Sequence, residues 1–236
     1  MFLKMRSVLS DIGNIPVNSS VIASFFPDIK AKSAKISALE KSGEIIRLRR
    51  NLFVLNPDES GVALSVELTA NHLLAPSYVS MQTALRHYGL IPEAVYTVQS
   101  MTLKESKMYD TPIGSFAYHH ISKEAYPIGL TQMRDGNAQY IIATPEKALC
   151  DLIANMPGAN FRYRREALRF LEDDLRLDME RFFAFSPEVF RQYAKAGKKA
   201  TSILTILKLL NDERHLRQDA VSIRPDNRPS KTQRHI

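Results

Sequence analysis

The chain has 236 residues, 44% of them hydrophobic and 24% charged, with 32 Lys and Arg against 25 Asp and Glu. That composition supplies a hydrophobic core and excludes wholesale disorder, and the length suits one large or two small domains. The single cysteine, Cys150, excludes an internal disulfide framework and a multi-cysteine metal site. No run of about 18 apolar residues is present to cross a membrane. The opening MFLKMRSVLSDIG lacks the long apolar core of a signal peptide, so a cytoplasmic protein is expected. A net charge of +7 and a pI near 9.5 suit a polyanionic partner. The charge is uneven: residues 1–60 carry 9 Lys and Arg against 6 Asp and Glu, residues 61–161 carry 6 against 8, and residues 162–236 carry 17 against 11. The two ends, rather than the middle, are the candidates for a polyanion surface.

Residues 2–12 space Phe2, Met5, Val8, Leu9 and Ile12 at helical intervals, and Gly13-Asn14 ends that helix. Asn18 or Ser19 is placed to cap a second helix, Val21 to Phe26, stopped by Pro27. The third helix buries Ile36 and Leu39, and Gly43 stands where a left-handed cap belongs. Glu44 to Leu48 and Leu52 to Leu55 then read as two strands around a polar tip, Arg49-Arg50-Asn51. Three short helices and a hairpin in about 55 residues make a winged helix-turn-helix, which sets one helix in the DNA major groove and the wing on the backbone.

The third helix turns Ala34, Ser37, Ala38 and Lys41 away from its buried side, with Lys35 at the rim. Small side chains there let a helix sit deep in a groove. Lys30, Lys32 and Ser33 stand at its N-terminal end, where base and phosphate contacts concentrate. Lys32 leans toward the core side, so snorkelling competes with phosphate contact. In the wing, Arg47, Arg49, Arg50 and Asn51 cluster; guanidinium forks match phosphate oxygens and fit a narrow minor groove. The expected DNA-binding set is therefore Lys30, Lys32, Ser33, Lys35, Ser37, Lys41, Arg47, Arg49, Arg50 and Asn51. The plain alternatives are a solvated lysine-rich helix and a charge-protected hairpin edge.

Asn56 to Gly61 is rich in turn formers and has no apolar anchor, which places a linker at 57–61 between a DNA-binding domain, 1–56, and a second domain, 62–213. In the second domain, residues 62–75 read as a helix broken by Pro76, followed by a helix from Met81 to Tyr88 ended by Gly89. Ala94 to Met101, Ser115 to Ile121, and Tyr126 to Met133 with Gln139 to Ile142 around Asp135-Gly136-Asn137 read as antiparallel strands. Thr144-Pro145-Glu146 opens a helix with a hydroxyl cap, a proline at the first position and an acid in the first turn. Its buried stripe is Ala148, Leu149, Leu152 and Ile153. Arg164 to Leu171, Ser186 to Ala194 and the strongly apolar Thr201 to Leu210 are further helices. Residues 214–236 are polar, basic and proline-containing, and read as a disordered tail. The fold class expected is α+β.

Catalytic signatures are sparse. No HExxH, glycine-rich phosphate loop, GxSxG or CxxC occurs. His119 and His120 are neighbours on a strand and point to opposite faces, so they do not readily chelate one metal. Asp110, Glu124, Asp135 and Glu146 are the acids that a magnesium-dependent nuclease or nucleotide-processing enzyme in residues 62–210 would use. Cys150 lies in an apolar helical pattern and reads as core. No catalytic residue, metal ligand or cofactor is assigned, and a non-enzymatic protein is expected.

Three stretches, PSYVSMQTALRHYGLIPEAVYTVQSMT, TPIGSFAYHHI and IATPEKALCDLI, follow the helix-and-wing sequence LEKSGEIIRLRRNLFVL in that order. Over residues 15–210 the chain resembles the AbiEi-type antitoxins and their bacterial relatives. It departs from them in having Arg50-Asn51 where relatives often have Arg-Gly at the wing tip. The resemblance implies an antitoxin of a type IV toxin–antitoxin system. Its N-terminal domain would repress its own operon by binding double-stranded operator DNA, with a homodimer on inverted repeats as one arrangement. Its second domain would antagonise a nucleotidyltransferase-like toxin. A protein-interaction module whose winged helix holds a partner instead of DNA is the remaining alternative.

Overall fold

A computed structural model of the protein describes Leu9 and residues 12–222. Most of the first expected helix, residues 2–12, lies outside the described residues; Leu9 and Ile12 are buried. Helix α1 is Ser19–Ser24 and helix α2 is Lys32–Lys41. The α2 terminus follows from Gly43, whose φ is +78°. The Gly43 N–H donates to the Glu40 carbonyl and the Glu44 N–H to the Leu39 carbonyl. This pair of bonds satisfies carbonyls that a helix end otherwise leaves open, and only a residue tolerant of the left-handed region permits it.

Strands β1, Ile45–Arg49, and β2, Leu52–Leu55, pair antiparallel, with Ile46 opposite Val54 and a bulge between Arg47 and Arg49. All four residues of β2 are buried, and the alternation of strand side chains explains how. Phe53 and Leu55, with Ile45, face a small core made with Ile22, Ile36 and Leu39. Leu52 and Val54, with Leu48, face the other way and join the large core of the rest of the molecule. The hairpin is thus a shared wall between two cores.

The segment expected to be a linker, 57–61, differs from that expectation. Pro57–Ser60 forms one helical turn, α3, capped by the Asn56 side chain accepting from the Asp58 N–H at 3.1 Å, and closed by Gly61 at φ +68°. Asparagine at the cap, proline at the first position and acids in the first turn are helix-start signals, and they prevail over the turn-former composition. Asn14 also donates to the Ala63 carbonyl at 3.0 Å, across the expected boundary.

Beyond α3 the chain builds a six-stranded sheet of β3 (Ser77–Val79), β4 (Thr97–Thr102), β5 (Lys107–Thr111), β6 (Gly114–His120), β7 (Leu130–Asp135) and β8 (Ala138–Ala143), in the order β5-β6-β4-β3-β8-β7. The expectation of antiparallel strands is corrected: β3 with β8 and β4 with β6 run parallel, inside antiparallel edge pairs. Helix α4, Val66–Leu73, packs on one face, where the Tyr118 hydroxyl of β6 donates to the Ala70 carbonyl at 2.6 Å. Helix α5, Met81–His87, and helix α6, Pro145–Asn155, lie on the other. Helix α6 starts as its sequence demands, with the Thr144 hydroxyl accepting from the Lys147 N–H. The mixed α/β class agrees with α+β.

Helices α7 (Arg164–Arg169), α8 (Met179–Phe182), α9 (Pro187–Ala196) and α10 (Ala200–Ser222) complete the described chain, with a π-helical turn at Phe170–Asp174. Ile203, Ile206, Leu207, Leu209 and Leu210 of α10 are buried. The expected disordered tail, 214–236, is corrected in its first part, because α10 continues through Ser222. Leu216, Arg217 and Gln218 are good helix formers, and no proline intervenes before Pro225. Residues 223–236 lie outside the described residues.

Candidate nucleic-acid interface

Helix α2, the start of α1 and the outer face of the hairpin enclose a groove of about 330 Å³. Lys32, Ser33 and Ser37 of α2, Arg47 and Phe53 of the hairpin, Asn51 of its tip and Ser19, Ser20 and Ala23 of α1 line it. Of the ten residues expected from sequence, the fold therefore brings Lys32, Ser33, Ser37, Arg47 and Asn51 to one concave surface. Lys32 faces this groove and is exposed, so its side chain is not taken up by the core. Lys30, Lys41 and Arg50 are exposed outside the groove lining, and none has an ion-pair partner among the described residues.

Four of the ten, Lys35, Arg49 and the groove-lining Arg47 and Asn51, are held by the protein itself. Lys35 is half-buried, with its ammonium 5.1 Å from the centre of the Phe26 ring. Arg47 Nε donates to Glu40 Oε1 at 2.8 Å, and a second bond joins Nη2 to Oε2, which makes the pair bidentate. The same guanidinium lies 4.7 Å over the Phe53 ring. That hydrogen bonding holds the Glu40 carboxyl below its ordinary range and pushes the Arg47 guanidinium up. Arg47 thus lines the groove as half of a salt bridge, with much of its charge answered.

Asn51 sits at φ +61°, a region that asparagine tolerates better than other non-glycine residues. Asparagine can therefore occupy this left-handed tip position. Its Oδ1 accepts from the Ser19 N–H at 3.3 Å and also from the Ser19 hydroxyl. The hairpin tip thereby caps α1, a task that sequence alone assigns to Asn18 or Ser19; Asn18 makes no side-chain cap bond. Arg49 Nε donates to the Leu73 carbonyl at the end of α4 at 3.0 Å, and Nη1 to the Arg50 carbonyl at 3.4 Å. These are neutral acceptors, so Arg49 keeps its charge while its fork is anchored.

The acids considered for magnesium chemistry do not converge. Asp110 on β5 accepts from the Ser115 hydroxyl at 2.7 Å, and Asp135 ends β7 at the opposite edge of the sheet. Glu146 accepts from the Ser186 N–H at 2.8 Å, where it serves the start of α9, and Glu124 is exposed. Among the described residues no group of three His, Cys, Asp or Glu is placed to hold a metal ion. His119 is half-buried and its pKa is lowered by that burial, while His120 Nδ1 lies 3.1 Å from the Lys104 carbonyl. Cys150 is buried, which pushes its thiol well up and makes it a poor nucleophile.

Sequence reasoning misses one polar cluster altogether. Lys147 and Asp151 of α6, both with no side-chain exposure, form an ion pair at 3.5 Å. Asp151 accepts from the hydroxyls of Tyr78 at 3.0 Å, Ser80 at 2.7 Å and Tyr193 at 2.9 Å. Lys147 donates to the Ala125 carbonyl at 2.6 Å and lies 4.5 Å from the centre of the Tyr193 ring. Burial lowers the lysine and raises the carboxyl, and each partner opposes the shift of the other. The cluster joins α6, β3, α9 and the loop before β7. The available signal was a lysine and an aspartate at i and i+4 within the otherwise apolar KALCDLI.

Models of known protein families and the curated proteins were compared with the chain, and none matches it.

Proposed function

We propose that this protein binds double-stranded DNA through its N-terminal part, with α1, α2 and the hairpin acting as a winged helix-turn-helix. The observation that carries this reading is a concave face lined by Lys32, Ser33 and Ser37 of α2, on a segment that also exposes the unpaired Lys30, Lys41 and Arg50. Serines and alanines along the exposed side of α2 allow close approach to base edges, and the unpaired cations suit phosphate oxygens. Lys35 and Arg47 act in this reading mainly by shaping the surface. The AbiEi-type resemblance extends the proposal to an autorepressing antitoxin whose second part antagonises a nucleotidyltransferase-like toxin.

Binding of the full chain to duplexes from its own promoter region, measured by fluorescence anisotropy across salt concentrations, tests the DNA reading. Four phosphate contacts from Lys30, Lys32, Lys41 and Arg50 give a log–log salt slope of about −3.6, at roughly −0.9 per contact. Arg50→Ala is expected to flatten that slope by about 0.9. Salt-independent binding, or none to any duplex, refutes the reading. Co-expression with the product of an adjacent nucleotidyltransferase-like gene tests the antitoxin reading: growth arrest unrelieved by this chain counts against it.

A further inference from the structure

We infer that Arg49 is a positioning residue, which fixes the hairpin tip to the large body of the protein and does not itself contact DNA phosphate. The inference rests on the DNA-binding reading above. Arg49 and Arg50 are neighbours in the same exposed tip, and sequence alone gives them the same role. The structure separates them. Arg49 Nε donates to the Leu73 carbonyl, one of those left open where α4 ends, and Nη1 to the Arg50 carbonyl. A cation at a helix C-terminus is also favoured by the helix dipole. The Ala70 carbonyl of the same last turn takes the Tyr118 hydroxyl, so hairpin and sheet are fastened to one helix end. Arg50 has no hydrogen-bond or ion-pair partner for its side chain among the described residues.

Arg49 to α4, Asn51 to α1, the Val17–Phe53 backbone bridge, and Leu48, Leu52 and Val54 in the large core then set the attitude of the tip. Releasing Arg49 leaves the free cations in place but lets the tip move relative to α2. DNA affinity should fall through lost order, with the number of phosphate contacts unchanged.

The test compares Arg49→Ala, Arg49→Lys and Arg50→Ala in the full chain. Anisotropy is read over a range of salt, and amide hydrogen exchange is read on the DNA-free proteins. Arg50→Ala is expected to flatten the salt slope by about 0.9 and to leave exchange unchanged. Arg49→Ala is expected to weaken binding at every salt concentration, by roughly ten-fold or less as for one lost hydrogen bond, with the slope kept. It should also speed exchange in the hairpin. Arg49→Lys, which keeps the charge but loses the fork, should behave like Arg49→Ala. A flattened slope in Arg49→Ala, full affinity in either Arg49 variant, or unchanged hairpin exchange overturns the inference. Exchange is read without DNA, so it still decides the anchoring role if the wild-type chain binds no duplex and the DNA reading fails.

Discussion

Replacing Asp151 by asparagine should be among the most damaging single changes available in this protein. The side chain is isosteric, so the effect isolates charge. At 3.5 Å, the attraction between Lys147 and Asp151 is about 5 kcal/mol at an effective dielectric of about 20. Desolvation of the two ions offsets most of that in the intact pair. The asparagine variant loses the attraction but keeps the buried ammonium. It also sets an amide NH₂ among three hydroxyls that now donate to a carboxylate. Breaking a buried pair this way costs about 3–5 kcal/mol. For a chain of this size each kcal/mol lowers the melting temperature by about 2–4 °C, so a fall of roughly 6–20 °C is expected by calorimetry. Adding Lys147→Met should recover part of the loss, because the stranded charge goes with it. A single variant melting within about 2 °C of wild type, or a double variant worse than the sum of the singles, would refute the reasoning.

Alkaline titration should find most tyrosines silent in the folded protein. Tyr88 and Tyr140 are pushed up to about 12 by burial, and burial also lifts Tyr78, Tyr118, Tyr126 and Tyr193, making six of the nine tyrosines. A raised native pKa means that stability is complete below the ordinary tyrosine value near 10 and is lost as pH climbs past it. Tyrosinate absorbance should therefore rise together with the unfolding signal; a smooth rise in an intact fold would contradict this. The Asn71 amide bonds both the N–H and the carbonyl of Ile141, at 2.6 and 3.2 Å, where three-residue β3 is too short to reach. Asn71→Ala should destabilise by about 1–3 kcal/mol in urea, and an unchanged midpoint would show that water replaces it fully. Glu40→Gln frees the Arg47 guanidinium at little cost in stability, since an exposed pair contributes at most about 1 kcal/mol. It should steepen the salt slope of DNA binding by about 0.9, and an unchanged slope would show that Arg47 stays on Phe53.

Locally determined features were readable in the residues. The Gly43 helix end, the hairpin around Arg50-Asn51, the Asp135-Gly136-Asn137 turn and the Thr144-Pro145 helix start each rest on residues within four positions of one another. Strand β3 went unread because three residues carry little periodicity, and β5 because Lys107–Thr111 is a polar, mostly exposed edge strand. The parallel pairings join segments far apart in sequence, which no local signal specifies. At the candidate interface, the residue types and their clustering were legible, and half of the expected set shares one groove. Which cations remain free was not legible. Glu40 meets Arg47 only once the turn at Gly43 folds back, and Arg49 meets a carbonyl 24 positions away. The Leu52-Phe53-Val54-Leu55 run was read as a strand, but its burial on both faces was not, because the second face meets a part of the chain expected to be separate.

That two-sided burial bears on how such proteins can be recombined. Grafting residues 1–56 onto a foreign C-terminal portion would carry across Leu48, Leu52 and Val54, a surface cut to fit a neighbour left behind. Any recombination between such chains must therefore either transplant the facing part of the large core as well or confine its changes to the exposed positions of α2 and the tip.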